Sequence, residues 1–430
     1  MLAWHFSFCD MVASSKVVKP ATRRKDVNLP KNGSLSSCSS APVKHAPPVK
    51  RAPHGSLSSC SSAPLKGAPH GVFSSCSSAP VKQAPLVGAI TPMNLGRPVL
   101  LGSDFTGMDA PGLTLRELHV ACRSLFASDS GASCRQLLKV LEPTADIYTD
   151  VRHRPCQYDV DLYVSGWPCT PFSTAGDPLM VLGSYHALEF IGRCKPRAVL
   201  LENVPAMTTR HKDVYETCTA FLTAAGYTWL DGIIDTQYHG APQRRRRWYL
   251  QAVRTDCLTF PLQFPLPDPQ PSTLDGVITP LPRHLWRPHP CPRKQPRGYK
   301  CVMRYLDQHR HTCGNVFTTP IVVDIGSSEG WETSSVNVAM TLTRTRCSQF
   351  GHWVSSKGGL MDIHDYEACH GIPRGLVPME SAGISHREYA SMLGNTMSMA
   401  VLKKLLPLLL ASAGIINLHE FTKLIRRAHS

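Results

Sequence analysis

The sequence has 430 residues with a formal net charge of +15, and 42% of its residues are hydrophobic, which permits two or three domains with a sizeable buried core. No stretch reaches the roughly 18 apolar residues that a membrane span needs, and the 16 cysteines are scattered, with no secretory signal ahead of them. These features argue against a membrane protein and a secreted disulfide scaffold, and they predict reduced thiols in the cytosol or nucleus.

The first 97 residues are predicted to form a disordered, basic, Ser/Pro-rich tail. An eleven-residue unit occurs three times, as SLSSCSSAPVK from Ser34, SLSSCSSAPLK from Ser56 and VFSSCSSAPVK from Val72. Such repeats bury too little surface to offset the entropy of an ordered chain. Residues 1–100 hold twelve Lys or Arg against two acids, so we expect the tail to add non-specific nucleic-acid contacts. Its acid-poor start also resembles an organelle transit peptide. The predicted location is the nucleus if the source is eukaryotic, with an organelle or the cytoplasm as alternatives.

From about Pro98 the pattern changes to apolar runs that alternate with amphipathic stretches. Strands are predicted at 99–105, 125–128, 160–164, 198–201 and 248–253, with a short apolar segment at 145–148, and helices at 113–122, 134–140, 186–194 and 215–225. This alternation predicts an α/β fold with a doubly wound sheet. Residues 256–340 are rich in Pro, Arg and His and show little periodicity, which predicts a small irregular domain or a large insertion. A helical pattern resumes from Asp362, and the apolar run 405–418 predicts a core helix despite Pro407.

A glycine-containing loop follows the first predicted strand, in the segment DFTGMDAPGLTL from Asp104 to Leu115. A strand that runs into such a loop and then a helix suits a nucleotide-like cofactor, because glycine lets the backbone approach a ligand closely. Asp129 ends the next strand, about 20 residues on, where an acid binds ribose hydroxyls in such folds. Asp150 follows a third apolar segment and is placed to read an adenine amino group. Each acid is also explained as a helix cap.

The segment SGWPCTPFS, from Ser165 to Ser173, places Cys169 between two prolines at the end of a predicted strand. Such a rigid turn holds a thiol out of regular structure, as a nucleophilic cysteine requires. Glu202 follows another buried strand, at the edge of the sheet where α/β enzymes keep their sites. In GAPQRRRRWYL, Arg245 and Arg247 lie on one face of an extended chain and the other two arginines on the opposite face. The run is therefore predicted to line a groove.

Taken in this order, the segments resemble the DNA (cytosine-5) methyltransferase family. Pro168-Cys169 matches the family's Pro-Cys nucleophile, Glu202-Asn203-Val204 its Glu-Asn-Val, and Gln243, Arg245 and Arg247 its Gln-x-Arg-x-Arg element. Gly394-Asn395-Thr396 resembles the Gly-Asn-Ser/Ala element that returns to the cofactor site. The resemblance implies a Rossmann-like S-adenosylmethionine-dependent methyltransferase fold with a mostly parallel sheet. In it, 98–255 is the catalytic and cofactor-binding domain, 256–340 the target-recognition domain and 341–430 the return to the catalytic domain.

The resemblance also implies roles for individual residues. The catalytic set is Cys169, Glu202, Gln243 and Arg245. The cofactor-binding set is Phe105, Thr106, Gly107, Met108, Asp129, Asp150, Val151, Pro168, Asn395 and Thr396. The substrate-binding set is Ser173, Asn203 and Arg247, and no metal is expected.

The implied reaction is methyl transfer from S-adenosylmethionine to carbon 5 of cytosine in DNA. Addition of the Cys169 thiolate to carbon 6 turns the ring into an enamine, so that carbon 5 can attack the methyl-sulfonium group. Glu202 is expected to hold or protonate ring nitrogen 3, and Arg245 to orient the base. The target atom is inaccessible inside a duplex, so the base must be flipped out. No membrane association and no stable protein partner are expected.

Departures from the family pattern leave alternatives open. Trp167 and Thr170 replace the usual Pro and Gln, and the loop from Ser173 to Leu182 is shorter than is usual in the family. One alternative is a tRNA cytosine-5 methyltransferase, and another is a non-catalytic nucleic-acid-binding homologue. A set of Cys and His residues in the variable region matches no standard zinc spacing and lacks a CxxC pair, so no zinc site is predicted. These residues are Cys291, Cys301, His309, His311 and Cys313.

Overall fold

A computed structural model describes residues 96–168, 182–327 and 334–428 of the chain. Cys169, Ser173, the loop that follows Ser173 and the predicted N-terminal tail with its three repeats lie outside the described residues.

Seven strands form the central sheet. They are β1 (Val99–Asp104), β2 (Cys122–Ser128), β3 (Asp146–Tyr148), β4 (Leu162–Gly166), β5 (Ala198–Asn203), β6 (Tyr227–Asp235) and β7 (Arg246–Arg254). Their spatial order is β3-β2-β1-β4-β5-β7-β6. The first five pair in parallel, whereas β7 runs antiparallel to both of its neighbours. The strand order reverses between β1 and β4, and ligands bind at the carboxyl ends of strands at such a reversal.

Helices cover both faces of this sheet, which confirms the predicted doubly wound α/β fold. The helices are α1 (Ala110–Glu117), α2 (Ala132–Leu141), α3 (Leu182–Cys194) and α4 (Lys212–Ala224). Successive residues of a strand point to opposite faces, so that Val164 and Leu200 join a core that includes α1, whereas Tyr163 and Leu201 join a second core with α3 and α4. Strands buried on both faces appear in a sequence as continuous apolar runs, and all six residues of β5 are buried.

Two elements of this region differ from the prediction. The helix expected at 113–122 begins at Ala110, because the Asp109 side chain accepts a hydrogen bond from the Gly112 amide and caps it. It ends at Glu117, since Cys122 already belongs to β2. The strand β6 is not predicted from the sequence. It lies at the edge of the sheet, and most of its nine residues are only half-buried, which leaves a weak apolar pattern.

A second, four-stranded antiparallel sheet begins within the region expected to be irregular. Its strands are β8 (Ile321–Asp324), β9 (Ser334–Val336), β10 (His352–Val354) and β11 (Gly359–Leu360), in the order β11-β10-β8-β9. The 18-residue helix α5 (Pro296–Cys313) packs on it through Val302, Tyr305 and Leu306. The expectation of an irregular 256–340 region is therefore wrong for this helix, and the second sheet continues past residue 340 to Leu360.

Four helices complete the described chain: α6 (Ile363–His370), α7 (His386–Asn395), α8 (Met399–Ser412) and α9 (Leu418–Ala428). The predicted core helix corresponds to α8, which contains Pro407 and has twelve of its fourteen residues buried. It ends at Ser412, and Leu418 begins the next helix and is 60% exposed. Within the described ranges no single helix is long and apolar enough to span a bilayer. Only α7 and α8 taken together, across a 48° bend, reach that length and composition.

Candidate active site

Four segments of the chain meet at Gly166, the last residue of β4. A Cβ atom placed on Gly166 would lie 2.8 Å from the Met397 methyl carbon, 3.8 Å from Glu202 Oε2 and 3.8 Å from the Phe105 carbonyl oxygen. The loop after β1, the ends of β4 and β5, and the segment after α7 are therefore in mutual contact. A Cβ at this position would crowd only the end of the flexible Met397 side chain, whereas its distances to Glu202 and Phe105 are those of ordinary contacts.

The loop after β1 has an unusual backbone that exposes Gly107. Phe105, Gly107 and Asp109 all have positive φ angles, of 53°, 59° and 61°. The Gly107 amide donates a hydrogen bond of 2.8 Å to Asp129 Oδ2, and the Gly131 amide one of 2.7 Å to Asp129 Oδ1. Nothing lies within 4 Å of a Cβ placed on Gly107. The half-buried Asp129 thus fixes the loop, and the open side of Gly107 leaves room for a ligand to approach the backbone.

The other predicted members of this loop are placed differently. Thr106 is buried, and its hydroxyl donates to the Ser103 carbonyl over 3.0 Å. Met108 is also buried, in the core beneath the loop. Phe105 is half-buried, and its ring would lie 2.8 Å from a Cβ placed on Gly183. Of these three side chains, Phe105 is therefore the one that is partly exposed to solvent.

Asp150 caps a short 3-10 turn, Val151–His153, by accepting a hydrogen bond from the Arg152 amide. The Arg152 guanidinium also donates to both carboxylate oxygens of Asp150, from Nε over 3.0 and 2.9 Å. These hydrogen bonds lower the pKa of Asp150 to about 2. The carboxylate is therefore ionised at neutral pH and remains an acceptor, beside the buried Val151.

Next to the turn that Asp150 caps lies a buried ion pair that no sequence motif indicates. Arg154 and Asp104 have side chains only 1% and 0% exposed, and Arg154 Nη2 lies 2.8 Å from Asp104 Oδ2. Tyr163 donates to the same oxygen over 2.6 Å, and Ser128 donates to Oδ1 over 2.7 Å. The Arg154 guanidinium also lies 4.2 Å from the ring centroid of Phe190. The pair joins the end of β1 to the turn that carries Asp150.

A second buried network holds the start of α1. Asp109 and Glu142 are both buried, and Arg116 forms salt bridges with each of them. Burial and the neighbouring Glu142 raise the pKa of Asp109, whereas Arg116 lowers it. Asp109 was not predicted as a site residue, and its left-handed backbone is the local feature that marks it.

Glu202 lies at the carboxyl end of β5 and is paired with Arg247. Arg247 Nε is 3.2 Å from Glu202 Oε1, and the two side chains are 14% and 11% exposed. Burial raises the pKa of Glu202, and the positive charges of Arg247 and Arg245 oppose that shift. The adjacent Asn203 is buried, and its side-chain oxygen accepts a hydrogen bond of 2.7 Å from the Val204 amide.

Gln243 and Arg245 hold the backbone of the returning segment. Gln243 is fully buried; it donates to the Cys369 carbonyl over 2.8 Å and accepts from the Leu342 amide over 3.2 Å. Arg245 donates to the carbonyls of Leu342, over 2.9 Å, and of Thr396, over 2.7 Å. These bonds give both side chains a positioning role, and their contact with a base stays a prediction.

The predicted alternation of the arginine run is confirmed. Arg244 and Arg246 are exposed, whereas Arg245 is buried and Arg247 is largely buried. Two consecutive residues at the start of β7 therefore face opposite sides of the sheet, as an extended chain requires.

The returning element at the end of α7 fits only a glycine at its first position, Gly394. A Cβ placed on Gly394 would lie 2.4 Å from the Arg344 amide nitrogen. Asn395 is exposed, and Thr396 is buried at the helix end. Pro168, at the limit of the described chain, is half-buried. The described ranges thus bring the β1 loop, Glu202, Arg247 and the returning element together.

Within the described parts of the chain, no three His, Cys, Asp or Glu side chains are arranged to hold a metal ion. The eleven cysteines in these parts are free thiols.

A family model for C-5 cytosine-specific DNA methylases matches residues 112–314. Over this segment, which is just under half of the chain, the chain resembles this methylase family. The matched segment begins inside α1 and includes Asp129, Glu202 and the arginine run. The family expected from the order of the motifs is therefore confirmed.

Curated relatives that the chain resembles include bacterial Type II methyltransferases. The chain is 29% identical over 176 residues to M.HaeII of Haemophilus aegyptius, covering 39% of this chain and 54% of the relative. It is 29% identical over 166 residues to M.NgoBI of Neisseria gonorrhoeae, covering 36% and 50%. The chain thus spans about half the length of these relatives.

Solved structures resemble the described fold over most of its length. A Spodoptera frugiperda DNMT2 mutant has a TM-score of 0.51 at 15% identity, covering 72% of this chain and 99% of that one. A prophage-encoded DNA modification methyltransferase of Escherichia coli, described as putative in its own name, has a TM-score of 0.52 at 14% identity, covering 72% and 97%. At these identities the likeness supports the Rossmann-like methyltransferase fold alone.

Proposed function

We propose that this methylase transfers a methyl group from S-adenosylmethionine to carbon 5 of cytosine in DNA. The observation that carries the proposal is the meeting of four segments at Gly166, where the Glu202 carboxylate lies beside the β1 loop and the returning element. Pro168, two residues after Gly166, leads directly into Cys169. The β1 loop and Glu202 therefore lie near Gly166, two residues before Pro168, the residue that precedes the predicted nucleophile in the sequence.

The described residues fit S-adenosylmethionine. The left-handed Gly107 has open space where a side chain would stand, and the Asp129 carboxylate that braces it keeps lone pairs for ribose hydroxyls. Asp150 and Val151 would hold the adenine, and Phe105 and Thr396 would border the remainder. When bound, the cofactor supplies an electrophilic methyl group on a sulfonium.

Each protein residue then has a defined task. Glu202 donates a proton to cytosine nitrogen 3, which offsets the charge that develops when a thiolate adds to carbon 6. Burial raises the pKa of this carboxyl and so favours its protonated form. Cys169 supplies that thiolate. Arg247 holds the Glu202 carboxyl in place. After methyl transfer to carbon 5, loss of the carbon 5 proton and elimination of the thiolate restore the aromatic ring and the enzyme.

DNA is the proposed substrate because the matching family and the curated relatives are named for DNA methylation and Type II methyltransferases. A tRNA cytosine-5 methyltransferase remains the second candidate, because the segment from Ser173 to Leu182 is shorter than is usual in the family. Nuclear localisation and non-specific contacts by the basic tail remain predictions for the same full-length chain.

The test measures labelled methyl transfer to DNA and, in parallel, to tRNA. We expect incorporation into DNA that is abolished by Cys169→Ala, kept by Cys313→Ala as a matched control, and accompanied by a covalent adduct with 5-fluorocytosine DNA. Sequencing of bisulfite-treated DNA from a methylation-free host would then locate the target. Transfer that persists in Cys169→Ala would reject the nucleophile, and transfer to tRNA alone would reject the DNA substrate.

A further inference from the structure

The helix α5 has a strongly basic exposed face outside the site described above. Residues 283–313 contain eight Lys or Arg and a single acid, Asp307. The apolar face of the helix is buried against the second sheet. Exposed basic residues follow its opposite face and the turn before it, and we call this set the α5 stripe: Arg293, Lys294, Arg297, Lys300 and Arg304.

Helical spacing places the stripe in one row. Arg297, Lys300 and Arg304 are three and four residues apart, so their side chains stand one above another on the same face. His311, also exposed, continues the row for about 21 Å along the helix axis at ~1.5 Å per residue. A solvated helix face commonly mixes both charges. Among the described ion pairs, α5 contributes one, between Arg310 and Asp307 at 4.0 Å.

A series of contacts connects the N-terminal half of α5 to the returning element. Arg297 donates to the Ser327 carbonyl over 2.5 Å, just beyond β8. Asp324, the last residue of β8, is 3.1 Å from Arg346 Nε. The turn Arg346–Phe350 in turn packs against α7, the helix that ends at Asn395. A short series of contacts therefore links the start of the stripe to the returning element.

A row of like charges on a rigid helix suits a regular polyanion. The phosphates of each strand of duplex DNA repeat about every 3.4 Å along its axis. The charged part of the row, from Arg297 to Arg304, spans about 10.5 Å of helix axis and therefore faces about three base steps. Exposed guanidinium and ammonium groups bind phosphate oxygens without reading the bases.

We propose that the α5 stripe binds the phosphate backbone of duplex DNA flanking the target cytosine. The inference rests on the proposed function, and it adds a binding surface that lies outside the catalytic residues. The stripe sets affinity and its salt dependence, whereas the sequence of the target is read elsewhere.

The test uses the full chain and a fluorescent mixed-sequence DNA duplex of about 30 base pairs, long enough to cover the stripe. The neutralised variant is Arg293→Gln/Lys300→Gln/Arg304→Gln. Arg297 is left in place because its guanidinium also holds the Ser327 carbonyl. The charge-conserving variant is Arg293→Lys/Lys300→Arg/Arg304→Lys. The remote control, Lys139→Gln/Lys423→Gln/Arg426→Gln, removes three exposed charges from α2 and α9.

We expect the neutralised variant to lower the slope of log Kd against log salt by about 2–3, since each phosphate contact contributes about 0.9. Its Kd at about 100 mM salt should rise at least tenfold, with kcat at saturating DNA unchanged. The charge-conserving variant should restore the parent slope, and the remote control should keep it.

The outcomes separate this inference from the proposed function. If the slope of log Kd against log salt is unchanged in the neutralised variant while the parent transfers methyl groups, the proposed role of the α5 stripe is wrong and the proposed activity is supported. Stripe-dependent DNA binding without methyl transfer by the parent supports the stripe and overturns the activity. Stripe-dependent binding of structured RNA, with no binding of duplex DNA, overturns both.

Discussion

Replacing Arg154 with Met tests whether the buried pair beneath the cofactor loop supports the site. Arg154 donates three hydrogen bonds of 2.8 to 3.1 Å to the Asp104 carboxylate, two from Nε and one from Nη2, and both side chains are almost fully buried. Removing one partner of a buried ion pair costs about 3–5 kcal/mol, because the remaining charge is uncompensated. Tyr163 and Ser128 still donate to that carboxylate, so we expect the lower end, about 3 kcal/mol.

A double variant separates the charge from the packing. In Arg154→Met/Asp104→Asn no charge is buried alone, so most of the lost stability should return. Urea unfolding of the parent and the variants gives the change as the shift of the midpoint multiplied by the slope m. A loss below about 1 kcal/mol, or a double variant no more stable than the single one, would refute the argument.

The single variant Arg154→Met should also change the kinetics of the enzyme. Arg154 directly follows the turn that carries Asp150 and Val151, so the loss of its anchor should loosen the adenine side of the cofactor site. We expect Arg154→Met to raise the KM for S-adenosylmethionine more than it lowers kcat. An equal effect on both constants would indicate general destabilisation only.

Three further changes test other parts of the site. Gly394→Ala places a Cβ 2.4 Å from the Arg344 amide nitrogen, a backbone atom that cannot rotate away, so urea unfolding should show a loss of about 1–3 kcal/mol; a neutral effect would contradict the geometry. Glu202→Gln should lower kcat by roughly 10²–10⁴ while isothermal titration finds cofactor affinity unchanged, because the acid acts on the base; unchanged kcat would exclude that role. Burial lowers the pKa of His352 from 6.5 to about 4, so the unfolded chain binds this proton first. Stability present above pH 6.5 is therefore lost as pH falls towards 4, and His352→Leu should flatten this loss in urea unfolding; parallel pH curves would refute it.

The central sheet could be predicted because its strands are buried on both faces. The residues of β4 and β5 form continuous apolar runs, which is a local signal. The second sheet gives no such signal. Its strands have only two to four residues, and their pairing joins segments far apart in the chain. The helix α5 is hidden by its many basic residues, although its buried Val302, Tyr305 and Leu306 have helical spacing.

The candidate site divides in the same way. Glu202 and the arginine run are predicted from short motifs, because each motif carries its own chemistry. The partners of the buried charges cannot be predicted from the sequence, because they depend on which strands become neighbours. Asp104 and Arg154 are 50 residues apart in sequence, and they meet only after β1 and β4 pair and the intervening chain folds back.

The arginine run shows how one strand serves two tasks. Arg245 faces the interior and holds the carbonyls of Leu342 and Thr396, whereas Arg247 reaches the Glu202 carboxylate. Both depend on the register between β7 and β5, in which Trp248 lies opposite Asn203. Side chains alternate between the two faces of a strand. A register shift of one residue would therefore turn Arg244 and Arg246 towards the interior and Arg245 and Arg247 towards the opposite face. The carbonyls of the returning segment would then lose Arg245, and the Glu202 carboxylate would lose Arg247. The same strand register therefore holds both the returning segment and Glu202 in position.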